Sequence, residues 1–187
     1  MGIFDWLFGK KKEKEGEDRD DWIESIHKGE EIKNDNGFNR IYTEFGDQEM
    51  YRKNGKINGE FKQYDWDGVL EIHVENFTET SDGQMVQSGR EKKWWSEGKI
   101  KSDVSFINGK RDGFGISYNK DGWIDMLQNY KNDEDITWDS DKNKKLMLKE
   151  IKRHMNKGVN VYPVIYLGLC EQLGIDPHKF LKDNLKK

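Results

Sequence analysis

The chain reads as mainly β: an elongated antiparallel meander of β-hairpin repeats, with a short N-terminal helix and a C-terminal helical segment. Three observations predict this. Four times a glycine is followed five residues later by an aromatic residue and four residues after that by a second glycine. Asn-Gly and Asp-Gly dipeptides, which supply the positive φ values of tight hairpins, recur between apolar-rich runs. From Asp139 onward the apolar spacing changes from a period of two to a helical one.

The four copies are Gly37, Tyr42, Gly46; Gly59, Tyr64, Gly68; Gly89, Trp94, Gly98; and Gly113, Tyr118, Gly122. Their first glycines step by 22, 30 and 24 residues. Self-similarity at such a period is the mark of stacked supersecondary units that cannot bury their apolar faces alone. One set of turns falls before or between units, at Asn36-Gly37, Asn54-Gly55, Asp82-Gly83 and Asn108-Gly109; the other falls inside them, at Asp67-Gly68 and Asp121-Gly122, with Phe45-Gly46 and Glu97-Gly98 as weaker forms. After the internal glycines, Leu70, Ile72, Val74, then Ile100, Val104, Phe106, then Ile124, Met126, Tyr130 fall at even offsets, which predicts one shared apolar sheet face and a wet face carrying His73, Lys101 and Asp103. Two strands per unit make roughly eight, in an open sheet rather than a barrel.

Residues 1–33 form the first region. Gly2 to Gly9 is a short aromatic amphipathic segment followed by Lys10, Lys11 and Lys12. Phe4, Trp6, Leu7 and Phe8 can enter a membrane interface while the three lysines attract anionic lipid; a frayed terminus or a helix docked on the sheet accounts for the same residues. Residues 10–20 read as a charged linker, and Asp20 or Asp21 opens a capping helix with Trp22, Ile23 and Ile26 on one side. Residues 34–132 are the repeat array. Residues 133–187 are a basic helical cap or module. Here Ser140 or Asp141 caps a helix with Leu148, Ile151 and Met155 on one face, Pro163 starts a second ending at Gly174, and Asp176-Pro177 opens a third carrying Phe180, Leu181 and Leu185.

Composition narrows the function classes. The 187 residues are 33% hydrophobic and 36% charged, too polar for a large closed core but sufficient for a lightly covered sheet. Residues 1–141 hold 21 lysines and arginines against 32 acidic residues, a net −11, whereas residues 142–187 hold 11 against 4, a net +7. Cys170 stands alone, which excludes a disulfide framework or multi-thiolate zinc site, and with no apolar run of spanning length and no secretory signal pattern the expected location is cytoplasmic, with peripheral membrane contact open.

Chemical motifs are sparse. Asp139, Asp141, Asn143 and Glu150 match four positions of a calcium loop, but Lys144 stands where its sharp turn needs glycine, and helix capping explains the same residues. His27, His73, His154 and His178 lack zinc-site spacing and read as surface residues. The region around Gly174 has a helix–turn–helix outline, but Phe180 and Leu181 stand where a DNA-reading helix exposes polar groups, so nucleic acid is not expected. No catalytic, cofactor or metal residues are assigned. Trp66, Trp95 and Trp123, outside the regular aromatic positions, are the candidate protein-binding anchors, with packing under the terminal helices as the other account.

Asn54-Gly55-Lys56 with Gly59, Tyr64 and Asp67-Gly68, and Asn108-Gly109-Lys110 with Gly113, Tyr118 and Asp121-Gly122, resemble MORN repeats, most closely the bacterial MORN-variant repeat. The resemblance covers about residues 34–132. It implies an elongated hairpin sheet and a non-enzymatic protein-binding role, as an antitoxin or immunity partner of a toxin; the alternative it implies is a membrane-surface scaffold. The sequence departs from the pattern in a longer connection from Val69 to Ser88 and in Trp94 replacing tyrosine.

Overall fold

The computed structural model describes residues 35–43 and 46–184. The expected N-terminal helix, the charged linker and the membrane-contact residues Phe4, Trp6, Leu7, Phe8, Lys10, Lys11 and Lys12 lie outside the described residues. Among the described residues the fold is a nine-stranded antiparallel meander in strict sequence order, followed by three helices. The strands are β1 (Gly37–Thr43), β2 (Gly46–Lys53), β3 (Lys56–Tyr64), β4 (Leu70–Glu79), β5 (Met85–Trp94), β6 (Ile100–Ile107), β7 (Lys110–Tyr118), β8 (Ile124–Lys131) and β9 (Glu134–Asp135). The helices are α1 (Asp141–Met155), α2 (Pro163–Leu173) and α3 (Pro177–Asn184).

Turn chemistry sets this order. Asn54 and Gly55 have φ of 53° and 75°, Asn108 and Gly109 50° and 78°, the two positive values a two-residue hairpin turn needs to follow the strand twist. The ninth strand arises from a turn that the dipeptide pattern does not show. Asn132 and Asp133 adopt φ of 52° and 74°, and Asp133 is held there as its N–H donates to the Arg111 carbonyl at 2.9 Å while its carboxylate accepts from the Arg111 N–H at 2.9 Å. The long Val69–Ser88 connection lengthens β4 and β5 to ten residues each and closes them with the Thr80–Gln84 turn.

The single apolar face expected from even spacing does not form. Glu71, Lys101 and Asp125 are each an extra, unpaired residue just after the first residue of β4, β6 and β8. Each bulge moves the rest of its strand to the other face. Met126 is therefore exposed and Leu127 buried, and Asp103, expected on the wet face, is buried beneath the helical layer. The apolar material divides into two clusters. Met50, Phe61, Ile72, Val74 and Phe77 gather on one face of β2–β4, while Ile116, Tyr118, Ile124 and Leu127 lie on the other face and meet the helices.

The helices close the far end of the sheet. Ser140 caps α1, its hydroxyl accepting from the Asn143 N–H at 3.2 Å, with Asp141 in the first turn and Lys152, Arg153 and His154 in the last to suit the helix dipole. With helix running from Asp141, Glu150 lies about 14 Å along the axis from it, so the calcium-like spacing is spent on a helix start. Pro163 begins α2 and Gly174, at φ 64°, ends it in the left-handed region. Met147, Leu148 and Ile151 of α1, Tyr166, Leu169 and Cys170 of α2 and Phe180 of α3 share one core with β7 and β8, each fully buried aliphatic contributing about 1.5–3 kcal/mol. The sheet's last edge is also covered by backbone pairing: β9 pairs with the end of β8, and Val161 forms a parallel bridge to Ile124 at its start.

Candidate functional site

Alternate turns of a meander lie at the same end of its strands. The β3–β4, β5–β6 and β7–β8 turns therefore line one edge, two strands or roughly 10 Å apart. All three share one hydrogen-bond pattern, in which the N–H of Asp65, Trp95 or Asn119 donates to the carbonyl four residues on, at 2.8–2.9 Å. Asp65 adds side-chain bonds, its Oδ1 accepting from the N–H of Asp67 and Val69 at 2.9 and 2.8 Å; Asn119 Oδ1 does the same for Asp121 and Trp123 at 3.0 and 2.9 Å. These carboxylate and amide clips brace the β3–β4 and β7–β8 turns.

The three candidate tryptophans occupy different positions of this one turn, which is why they are irregular in sequence yet share an edge in space. Trp66 is 46% exposed and Trp123 37%. Trp123 leans on Tyr162, with 5.5 Å between ring centroids, and Tyr162 Oη accepts from Asn119 Nδ2 at 3.1 Å. Trp95 is half-buried: its Nε1 donates to the Tyr118 carbonyl at 3.3 Å and the Lys101 ammonium sits 4.5 Å from its ring centroid. The repeat aromatics Tyr42, Tyr64, Trp94 and Tyr118 all project to the helix side of the sheet. Tyr42 is 60% exposed, whereas Tyr118 is only 6% exposed, because the helices cover only the last units.

A second constellation, not anticipated from sequence, joins the sheet to α1. Arg90 of β5 and Asp103 of β6 form a two-pronged ion pair at 2.7 and 2.6 Å. Above them Glu150 binds the Arg153 guanidinium and lies 3.2 Å from His154 Nε2, and Tyr118 meets the His154 ring edge-on at 6.3 Å. The Glu150, Arg153 and His154 spacing is visible in the sequence, but their distance from Arg90 and Asp103 hides the shared location. His154, read as a surface residue, is buried because the turn of α1 that carries it faces Tyr118.

Burial pushes the Tyr118 hydroxyl up to about 12, helped by the Asp103 charge, so it stays neutral. Burial also lowers the His154 pKa; Glu150 opposes that shift and the Arg153 charge adds to it. Burial works against ionisation of Glu150, but the hydrogen bond and charge of Arg153, then His154, outweigh it and hold the carboxyl below its usual range. For both groups the unfolded chain binds a proton more readily than the native one, so stability is full above their unfolded pKa values and is lost as pH falls through the folded ones. Urea midpoints are expected to drop from pH 7 to pH 5, and His154→Gln, which cannot titrate, to lessen that drop. An equal drop in the variant would remove His154 from the account.

No family model matches the sequence, and neither a curated protein nor a solved structure is significantly similar to it. Among the described residues, no helix is long and apolar enough to cross a membrane.

Proposed function

We propose that this chain is a non-enzymatic, cytoplasmic protein-binding module of MORN-variant type, acting as the antitoxin or immunity-like partner of another protein. The observation that carries the reading is the turn edge, where Trp66 and Trp123 are exposed on turns stiffened by Asp65 and Asn119. Aromatic side chains held rigidly at a surface lose little entropy on binding and dominate protein interfaces. The net charge of −11 over residues 1–141 favours a basic partner and speeds encounter with it. Trp95 serves by buttressing the edge, since its indole is committed to Tyr118, while Trp66 and Trp123 supply contact area.

Affinity capture from the native cell tests this with wild-type protein and with Trp66→Ala, Trp95→Ala and Trp123→Ala variants. A specific protein is expected with the wild type and lost with Trp66→Ala or Trp123→Ala, while thermal unfolding of those two variants stays within about 1 kcal/mol of the parent. Trp95→Ala is expected to lower stability as well. Recovery of the same protein by every variant would sink the reading.

A further inference from the structure

Helix α2 reads Pro-Val-Ile-Tyr-Leu-Gly-Leu-Cys-Glu-Gln-Leu, with Glu171 its one charged residue. A helix apolar on every side is normally enclosed. Here Tyr166, Leu169 and Cys170 are buried, but Val164 is 75% exposed and Leu167 42%. The uncovered side meets aromatic residues: Tyr162, with Trp123 against it, precedes the helix, and Trp138 lies against Gly168 at its middle. Helix α1 packs beside α2, and both lie against β8, so their outer faces look the same way from the sheet. The outer face of α1 carries Lys142, Lys145 and Lys149 around Leu146, forming a shallow basic depression.

We propose that the joined outer faces of α1 and α2 dock on an anionic lipid bilayer. Charge selects this occupant. Residues 142–187 carry +7 and the rest of the chain −11, so an anionic surface attracts the helical end and repels the body, which orients the molecule with α2 toward the lipid. A second copy packed on the same face would set the two rows of α1 lysines against each other, which disfavours it. The face is two adjacent helix surfaces rather than an apolar groove, a shape that a bilayer accepts and a helical peptide ligand does not. Val164 and Leu167 enter the acyl boundary, Trp138 and Tyr162 sit at headgroup depth, and the lysines meet lipid phosphates. Acidic groups nearby include Glu171, on the exposed side of α2, Asp139, exposed beside Trp138, and Asp141, which pairs with Lys144 at 3.4 Å.

The surface adjoins the protein-binding edge where Tyr162 meets Trp123 and is distinct from residues 2–12; the substitutions below avoid that junction, which keeps all three readings apart. Full-length protein is sedimented with vesicles of phosphatidylcholine alone and of phosphatidylcholine with phosphatidylserine. Binding is expected only to the anionic vesicles and to weaken with salt. Val164→Asp combined with Leu167→Asp, and separately Lys142→Glu with Lys145→Glu and Lys149→Glu, are each expected to lower the bound fraction about tenfold. All five side chains lie on the exposed side of their helices, so circular dichroism should match the parent; if a variant unfolds, Leu167→Gln alone takes its place and is expected to lower binding severalfold. Phe4→Ser with Leu7→Ser is expected to leave binding intact. Absence of binding, equal binding to both vesicles, or retained binding in the α1 and α2 variants would each overturn the proposal. So would loss of binding in the N-terminal variant alone, or capture of a protein through Val164 and Leu167 without vesicle binding.

Discussion

Gly46→Ala is expected to cost at least about 3 kcal/mol, a large share of the ~5–15 kcal/mol that holds a domain folded. Gly46 begins β2 with φ of 106°, where a side chain brings strain of ~1–3 kcal/mol. A β-carbon there would stand 2.1 Å from the Tyr64 carbonyl oxygen and 3.1 Å from the Asp65 carbonyl carbon. Those atoms belong to the end of β3 and the start of its turn, and backbone held in a ladder cannot swing aside as a side-chain tip can. Gly98→Ala is the matched control. Its φ of 75° is also positive, but no heavy atom lies within 4 Å of the added carbon, so only the conformational cost of about 1 kcal/mol is expected. Urea unfolding of the two variants measures the difference, and equal midpoints would show that the β2–β3 approach is looser than described.

The second large effect is expected at Ile151, which is fully buried where α1 meets the sheet. Truncation to alanine removes three carbons from a site lined by both helix and strand residues, a change that costs ~2–5 kcal/mol because the surroundings collapse only partly. Leu146→Ala on the opposite side of α1 removes the same number of carbons from an exposed position and is expected to cost under ~0.5 kcal/mol. Similar losses for the two variants would mean that α1 does not share the core of the last hairpins.

These effects separate what the residue string shows from what it hides. Hairpin order was legible because Asn54-Gly55 and Asn108-Gly109 encode their turn geometry locally, within two residues. The start of α1 and both ends of α2 were legible for the same reason, through Ser140, Pro163 and Gly174, whereas α1 ends at Met155, short of Gly158. Side-chain facing was not. It depends on the bulges at Glu71, Lys101 and Asp125, which exist only in relation to the neighbouring strand, and one bulge is enough to exchange Met126 for Leu127 in the core. The ninth strand was hidden because Asp133 takes the turn position usual for glycine, held by Arg111 across the sheet.

The candidate site follows the same division. That Trp66, Trp95 and Trp123 belong to turns could be read from the adjoining Gly68, Gly98 and Gly122, but their different fates could not. Trp95 is drawn inward by the Tyr118 carbonyl and Lys101, while Trp123 is propped outward by Tyr162, a residue 39 positions further along that the parallel bridge at Val161 brings to the turn. The i,i+3 pair of Glu150 with Arg153 has a local signature, but the Arg90–Asp103 pair across two strands and the stacking of both around Tyr118 and His154 are tertiary events.

The functional reading rests on a turn edge held firm by one cooperative body, in which the last hairpins and the helical tail are a single core. Native-state hydrogen exchange on the intact chain tests that directly. Amides of Ile116 and Leu127 in β7 and β8, and of Leu148 and Ile151 in α1, are expected to exchange with one shared opening free energy that falls together as urea is raised. If the α1 amides open at a free energy several kcal/mol below those of β7 and β8, the tail is a separate module and the account of the edge it supports is wrong.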